Sequence, residues 1–263
     1  MNFATVLTDF GLKDPYVGIM KGVMLSINPR LSVVDITHAV EAQDVREASF
    51  IIGEYYRYFS PGTVHLCVVD PTVGSSRKAL VVSKEGHFFV GPDNGLFSLV
   101  LEGDAIVHEI SNPRYMLNSL SGTFHGRDVF APAAAYLSLD LGPDEFGPLV
   151  REPERLEGLL PYEEDGVMMG TVVRFDRFGN AISNVSLDLF RSFTKGSAFR
   201  IEMGGLAFDR LSRSYYEGQY TCLVNSSGYL EFGLFRGDLA RDRAMRKGDA
   251  VSIHRVGARG RRV

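Results

Sequence analysis

Through the first half of the chain, short apolar runs alternate with stretches whose apolar residues recur at helical spacing. Runs 3–7, 32–36, 63–69, 79–83 and 87–90 predict strands, the last two joined by a turn at 84–86. Stretches 17–27, 44–59, 94–101 and 128–139 predict helices. In the second of these Asp44 stands at the N-cap, with Val45, Ala48, Ile51, Ile52, Tyr55 and Tyr56 on one face. Strands alternating with helices predict an α/β domain built on a mainly parallel sheet. Such sheets place ligands outside the carboxyl ends of their strands. Thr8 and Asp9, Asp70, and the Gly91-Pro-Asp-Asn94 segment each follow a predicted strand.

Around 151–165 the pattern breaks. Pro153, Gly158, Pro161 and six acidic residues read as a linker, placed at 153–165 between an N-terminal domain over 1–152 and a C-terminal domain over 166–263. Beyond it come short strands at 167–175, 198–203, 220–224, 229–232 and 250–254, with no helix longer than about 10 residues, the pattern of a smaller antiparallel β-barrel domain.

Composition narrows the classes. The 263 residues are 45% hydrophobic and 23% charged, which are globular values, and the net charge of -4 does not suit a nucleic-acid partner. The terminal arginines Arg255, Arg259, Arg261 and Arg262 read as a solvated end. Neither a signal-peptide pattern nor a long apolar run is visible, so the expectation is a cytoplasmic protein with no membrane span. Cys67 and Cys222 lie in β-branched apolar runs and read as buried thiols, and no His/Cys cluster has metal-ligand spacing.

Six polar, glycine-rich segments stand out: 7–18, 69–77, 91–95, 123–128, 175–184 and 225–231. They supply the carboxylates Asp9, Asp14, Asp70, Asp93, Asp128 and Asp176, the cations Arg77 and Arg127, and His125. A carboxylate beside a histidine fixes its tautomer and supports proton transfer, and glycine lets backbone approach a ligand closely. Taken singly, the Asp-Pro and Asp-Asn-Gly steps are also turns and helix caps. His38, His65, His87, His108 and His254 read as structural or solvated. These residues alone point to a two-domain α/β enzyme with an Asp/His/Arg site.

The ordered set Thr8-Asp-Phe-Gly11 with Asp14 and Gly18, Lys21-Gly22, Val69-Asp-Pro71, Gly91-Pro-Asp-Asn-Gly95, Thr123-Phe-His-Gly-Arg-Asp128 and Asp176 with Phe178-Gly-Asn180 resembles the S-adenosylmethionine hydroxide adenosyltransferases, relatives of the fluorinases and chlorinases. The resemblance runs over nearly the whole chain. It implies an α/β N-terminal domain, a smaller β C-terminal domain, and a homotrimer with active sites between one subunit's N-terminal and a neighbour's C-terminal domain. It assigns Asp70, Arg77 and His125 to a water-activating triad, with Asp70 orienting His125 as base. Asp9 is assigned to the ribose hydroxyls, Asn180 to the adenine edge and Asp176 to the methionine ammonium. Asp14, Ser226 and Glu231 are carried over as substrate-binding positions, and Tyr215 or Tyr216 as a stacking partner for adenine. Position 72 departs from the family, which usually has glycine there. A positive φ would strain Thr72.

The implied reaction is hydroxide attack on the ribose 5′ carbon of S-adenosyl-L-methionine, giving adenosine and L-methionine, with the small molecule as substrate and no added cofactor or metal. The presence of all three triad residues and the short connection from Arg77 to Gly91, which leaves no room for the fluorinases' extra loop, favour hydroxide over halide. The alternatives are a 5′-halogenase-type adenosyltransferase and a non-catalytic binder of adenosine or S-adenosylmethionine.

Overall fold

The computed structural model describes residues 3–256, and Arg259, Arg261 and Arg262 lie outside them. The chain divides into two compact units at Glu157/Gly158.

The first unit is a six-stranded mixed sheet. Its strands are β1 (Phe3–Thr8), β2 (Ser32–Thr37), β3 (Val64–Val68), β4 (Ala79–Lys84), β5 (His87–Pro92) and β6 (Ile106–Glu109), in the order β2-β1-β3-β5-β4-β6. β1 runs parallel to β2 and β3, and β3 parallel to β5, while β4 is antiparallel to β5 and β6. β1 and β3 are buried on both faces, which explains their mostly apolar runs, and the two polar residues inside them, Thr5 and His65, bond each other at 2.8 Å. One face carries Ala4, Val6, Val64, Leu66 and Val68, covered by α1 (Tyr16–Ile27) through Met20 and Met24 and by α3 (Ala131–Leu137). The other carries Leu7, Cys67 and Val69, covered by α2 (Val45–Tyr55) through Ala48 and Ile52.

At the start of α2, Asp44 Oδ1 accepts the Glu47 N–H at 2.8 Å, as its N-cap position predicts. Glu47 Oε2 in turn accepts the Glu41 N–H at 3.3 Å and the Glu41 carbonyl accepts the Asp44 N–H at 2.9 Å, so two of the three clustered carboxylates, Asp44 and Glu47, fix the turn that leads into α2.

The helix expected at 94–101 does not form. Gly95 takes φ +88°, Asn94 Oδ1 accepts the Leu96 N–H, and the bonds Ser98 N–H to Gly95 O and Val100 N–H to Phe97 O make successive turns. Leu96, Phe97, Val100 and Leu101 are still buried, so burial gave the segment a helical spacing without a helix. Similarly, the stretch expected to be helical from Asp128 opens with a π-helical turn, Gly126–Phe130, before α3.

The second unit is an antiparallel sheet that curls into a nearly closed barrel. Its strands are β7 (Tyr162–Glu164), β8 (Val167–Phe175), β9 (Ala181–Ser186), β10 (Phe199–Met203), β11 (Leu206–Phe208), β12 (Tyr220–Val224), β13 (Tyr229–Leu234) and β14 (Ala250–Arg255). The order is β11-β10-β14-β8-β9-β13-β12, with β7 on β8. A bridge from Ser212 to Leu223 brings the chain after β11 against β12, at the other end of the order. Two helices, α4 (Leu187–Thr194) and α5 (Leu239–Asp242), accompany the sheet, and Phe190, Ile201, Cys222, Phe232 and Val251 fill its interior. Among the described residues no helix is long and apolar enough to cross a membrane. Both cysteines are buried and unpaired.

Candidate active site

The mixed sheet decides which loops meet. β1, β3 and β5 are parallel neighbours, so Asp9, Asp70 and Asp93 all leave the sheet at one edge. β4 pairs antiparallel with β5, with Ala79 opposite Pro92, so its entry, with Arg77 two residues earlier, lies at that same edge. His125 arrives from further along the chain, as the residue before the π-helical turn. Turns of this kind recur at functional sites because they re-aim side chains.

Asp70, Arg77 and His125 come together, with Arg77 in the middle. Arg77 Nε lies 3.0 Å from each Asp70 oxygen, and Nη2 also donates to Oδ2. The same Nη2 lies 2.9 Å from His125 Nδ1, and the guanidinium stands 5.2 Å from the centre of the Phe130 ring. The Arg77 and Asp70 side chains are only 6% and 5% exposed. The expectation that Asp70 orients His125 directly is therefore corrected: the carboxylate grips the guanidinium, and the guanidinium grips the imidazole. Because arginine only donates, Nδ1 must accept, and the neutral ring keeps its proton on Nε2. Burial and the Arg77 charge push the imidazole below its usual pKa, against the pull of Asp70 and Asp128. The resting geometry thus makes His125 a neutral donor through Nε2, not a free base.

Thr72 is not strained. The positive φ in its turn, +80°, falls on Gly74, where a Cβ would collide with the Gly122 carbonyl oxygen. The Thr72 hydroxyl instead lies 3.4 Å from Asp70 Oδ1.

Asp9 Oδ2 accepts the Gln43 N–H at 2.7 Å. Asp14 is exposed just before α1. Asp93 is buried and receives the Glu154 N–H on Oδ1 at 2.8 Å, and burial raises its pKa. Asp128 is fully buried and accepts from Ser121 N and from Arg127, which fixes the loop leading into His125.

The other expected site residues lie in the second unit. Asp176, Asn180 and Tyr215 line a cleft of about 600 Å³ together with Phe178, Phe235 and Arg236. Asp176 Oδ1 accepts the N–H groups of Phe178 and Asn180, and Oδ2 accepts the Asn180 side-chain amide, each at 2.9 Å. The carboxylate expected to bind an ammonium is therefore first the organiser of its own turn. A neighbouring cleft of about 470 Å³ takes in Ser226 and Glu231, again with Asp176 and Tyr215. Glu231 is buried, which raises its pKa despite the Tyr215 hydroxyl that donates to Oε1. Tyr216 is 77% exposed and lines neither cleft.

Sequence reading missed Arg174 and Arg213, which line the second cleft, and Phe235 and Arg236 in the first, and it named Phe178 only as part of a motif. The available signal was the concentration of arginines beside the segments 175–184 and 225–231. Carboxylates, arginines and serines in one cleft suit a zwitterion, and aromatic rings beside an amide suit a flat heterocycle.

The chain is similar to known proteins over most of its length. Residues 4–147 match the family model described as SAM hydroxide adenosyltransferase N-terminal domain, and residues 170–252 match the corresponding C-terminal domain. The chain is 39% identical over 260 residues to the (R)-S-adenosyl-L-methionine hydrolase of Thermus thermophilus, covering 94% of this chain and 97% of that one. It is 26% identical over 284 residues to the fluorinase of Nocardia brasiliensis, covering 94% and 95%. Among solved structures, a conserved protein of Thermotoga maritima superposes with a TM-score of 0.86 at 35% identity, over 96% of this chain and 99% of that one. With both domain models matched in order and each by its own compact unit, this chain belongs to the SAM hydroxide adenosyltransferase family.

Proposed function

We propose that this protein hydrolyses S-adenosyl-L-methionine at the ribose 5′ carbon, releasing adenosine, L-methionine and a proton. The observation that carries this reading is the Asp70–Arg77–His125 cluster, with its ion pair buried, at the carboxyl edge of the first sheet. The greater identity to a hydrolase than to a fluorinase points the same way. The oxygen–C5′ bond forms as the C5′–sulfur bond breaks, and the electron pair leaves with sulfur as the neutral thioether. An anionic nucleophile meeting a sulfonium loses charge in the transition state, so a site with little water favours the step. The His125 Nε2–H, its proton held there by Arg77, donates to the entering oxygen, and Arg77, locked by Asp70, adds a fixed positive charge, a preorganised electrostatic arrangement. Asp9 holds the ribose hydroxyls, Asn180 the adenine edge with Tyr215 against the ring, and Asp176 with Ser226 and Glu231 the amino-acid end. Asp14 adds a further substrate-binding carboxylate.

Incubation with substrate in oxygen-18 water puts the label on the 5′ hydroxyl of adenosine. Label elsewhere, or a 5′-halo-5′-deoxyadenosine formed at the expense of adenosine when chloride or fluoride is added, overturns the reading. The relative's name specifies the R configuration at sulfur. We extend that choice to this chain, and the same assay run on each sulfur epimer tests it.

The site is shared within a homotrimer in the cytoplasm, with the Asp70 cluster of one subunit meeting the Asp176 cleft of a neighbour. Leu12 and Phe178, 78% and 75% exposed, each stand in a site segment, where such a contact would cover them. Sedimentation at three times the chain mass is expected, and a monomer of full activity overturns the shared site.

A further inference from the structure

A hydrogen-bonded chain runs beneath Asp9 and ends on a histidine that the proposed chemistry does not use. His38 is 6% exposed, in the loop after β2. Its Nδ1 lies 2.9 Å from the hydroxyl of Thr8, the fully buried last residue of β1. The Thr8 oxygen accepts the Phe10 N–H at 3.2 Å, and the His38 carbonyl accepts the Gly11 N–H at 2.7 Å. The backbone is therefore held on both sides of Asp9, by the side chain and by the main chain of one residue.

On the far side, His38 Nε2 lies 3.0 Å from Asp35 Oδ1 but off the line of a straight hydrogen bond, so this is a close polar contact. Asp35 Oδ2 pairs with Lys21 Nζ of α1 at 2.6 Å. A proton on Nε2 faces the carboxylate, which leaves Nδ1 to accept from Thr8, and the Thr8 oxygen is then oriented to accept from Phe10. Lys21, Asp35, His38 and Thr8 thus form one polarised chain from a surface lysine to the loop of Asp9. Gly11, at φ +65°, makes the turn that this loop needs.

We infer that His38 is a positioning residue for the ribose-binding carboxylate: by fixing Thr8, Phe10 and Gly11 it sets the direction in which Asp9 Oδ1 is presented. The inference rests on the proposed role of Asp9. It separates His38 from a merely structural histidine, because its loss is felt by ligands that carry ribose and not by those that lack it.

The experiment measures adenosine and methionine binding by calorimetry, together with KM and kcat, for His38→Ala, His38→Asn and Asp9→Asn. His38→Ala is expected to weaken adenosine about tenfold, roughly one hydrogen bond of placement, and to raise KM with little change in kcat or in methionine binding. His38→Asn places an amide oxygen near the Nδ1 position and is expected to restore adenosine binding, which also guards against a folding defect in the alanine variant. Equal weakening of adenosine and methionine, or no weakening of either, overturns the proposal. If Asp9→Asn weakens adenosine while His38→Ala does not, the proposal alone fails. If Asp9→Asn leaves adenosine binding intact, the ribose reading fails and takes the proposal with it.

Discussion

Arg77→Lys is expected to lower kcat by about 10²–10³-fold, with KM changed far less, because the loss falls on transition-state stabilisation rather than on substrate binding. The substitution keeps the charge and removes the geometry. The guanidinium reaches both Asp70 oxygens through Nε and Nη2 and His125 Nδ1 through Nη2. An ammonium has three donors on one atom at the end of a flexible stem, and lacks the second nitrogen through which Nε grips Asp70 while Nη2 reaches both Asp70 and His125. Without that fork the direction of the bond to His125 is no longer fixed. If Nδ1 is released, the proton is no longer held on Nε2 and the imidazole turns. Steady-state kinetics on the purified variant, with circular dichroism to confirm the fold, read the effect. A kcat within about threefold of the parent would mean that a positive charge alone suffices, and the electrostatic fork described above would be wrong.

The second large effect is on stability. Asp70→Asn is expected to cost about 3–5 kcal/mol, since it leaves a buried guanidinium without its counter-charge. With Arg77 only 6% exposed, water cannot replace the carboxylate without the loop opening. Asparagine keeps the shape but turns an amide hydrogen pair toward donors on at least one side. At about 2–4 °C per kcal/mol for a chain of this size, the melting midpoint falls by roughly 6–20 °C. Adding Arg77→Met is expected to recover part of the loss, because a buried ion pair replaced on both sides by uncharged groups is far less costly than a broken one. An Asp70→Asn protein that melts with the parent would show that Arg77 finds solvent or another acceptor, and the pair would lose its structural role.

The two substitutions probe one contact from opposite ends. Arginine carries the chemistry and the carboxylate pays for its burial. Lysine at 77 spares most of the stability because a charge remains beside Asp70, whereas asparagine at 70 disturbs both.

Much of this molecule was legible along the chain. Mostly apolar runs at β1 and β3 marked strands, Asp44 marked a helix start, and the short strands after residue 166 marked a barrel-like sheet. The segments carrying Asp9, Asp70, Arg77 and His125 were also distinguishable, since glycine, proline and carboxylates at strand ends are local turn chemistry. The segment at 94–101 shows the limit: helical spacing reports burial on one side, and Gly95 at positive φ with the Asn94 side chain on the next turn decided against a helix.

Only the tertiary structure decided the order of contacts. Arg77 and His125 are 48 residues apart, and their meeting depends on β4 entering antiparallel at the edge where β3 leaves, and on the π-helical turn that follows His125. That register put Arg77 between Asp70 and His125, where the sequence suggested a direct Asp–His pair. The same holds for His38, which reaches Thr8 across 30 residues, and for Thr72, whose feared positive φ moved two residues on to Gly74. Periodicity and turn preference are written within a few neighbours, so the sequence determined which elements form and which residues lie at their ends. Hydrogen-bond direction across tens of residues is set by strand register and packing, so which of those residues touch was decided by the fold.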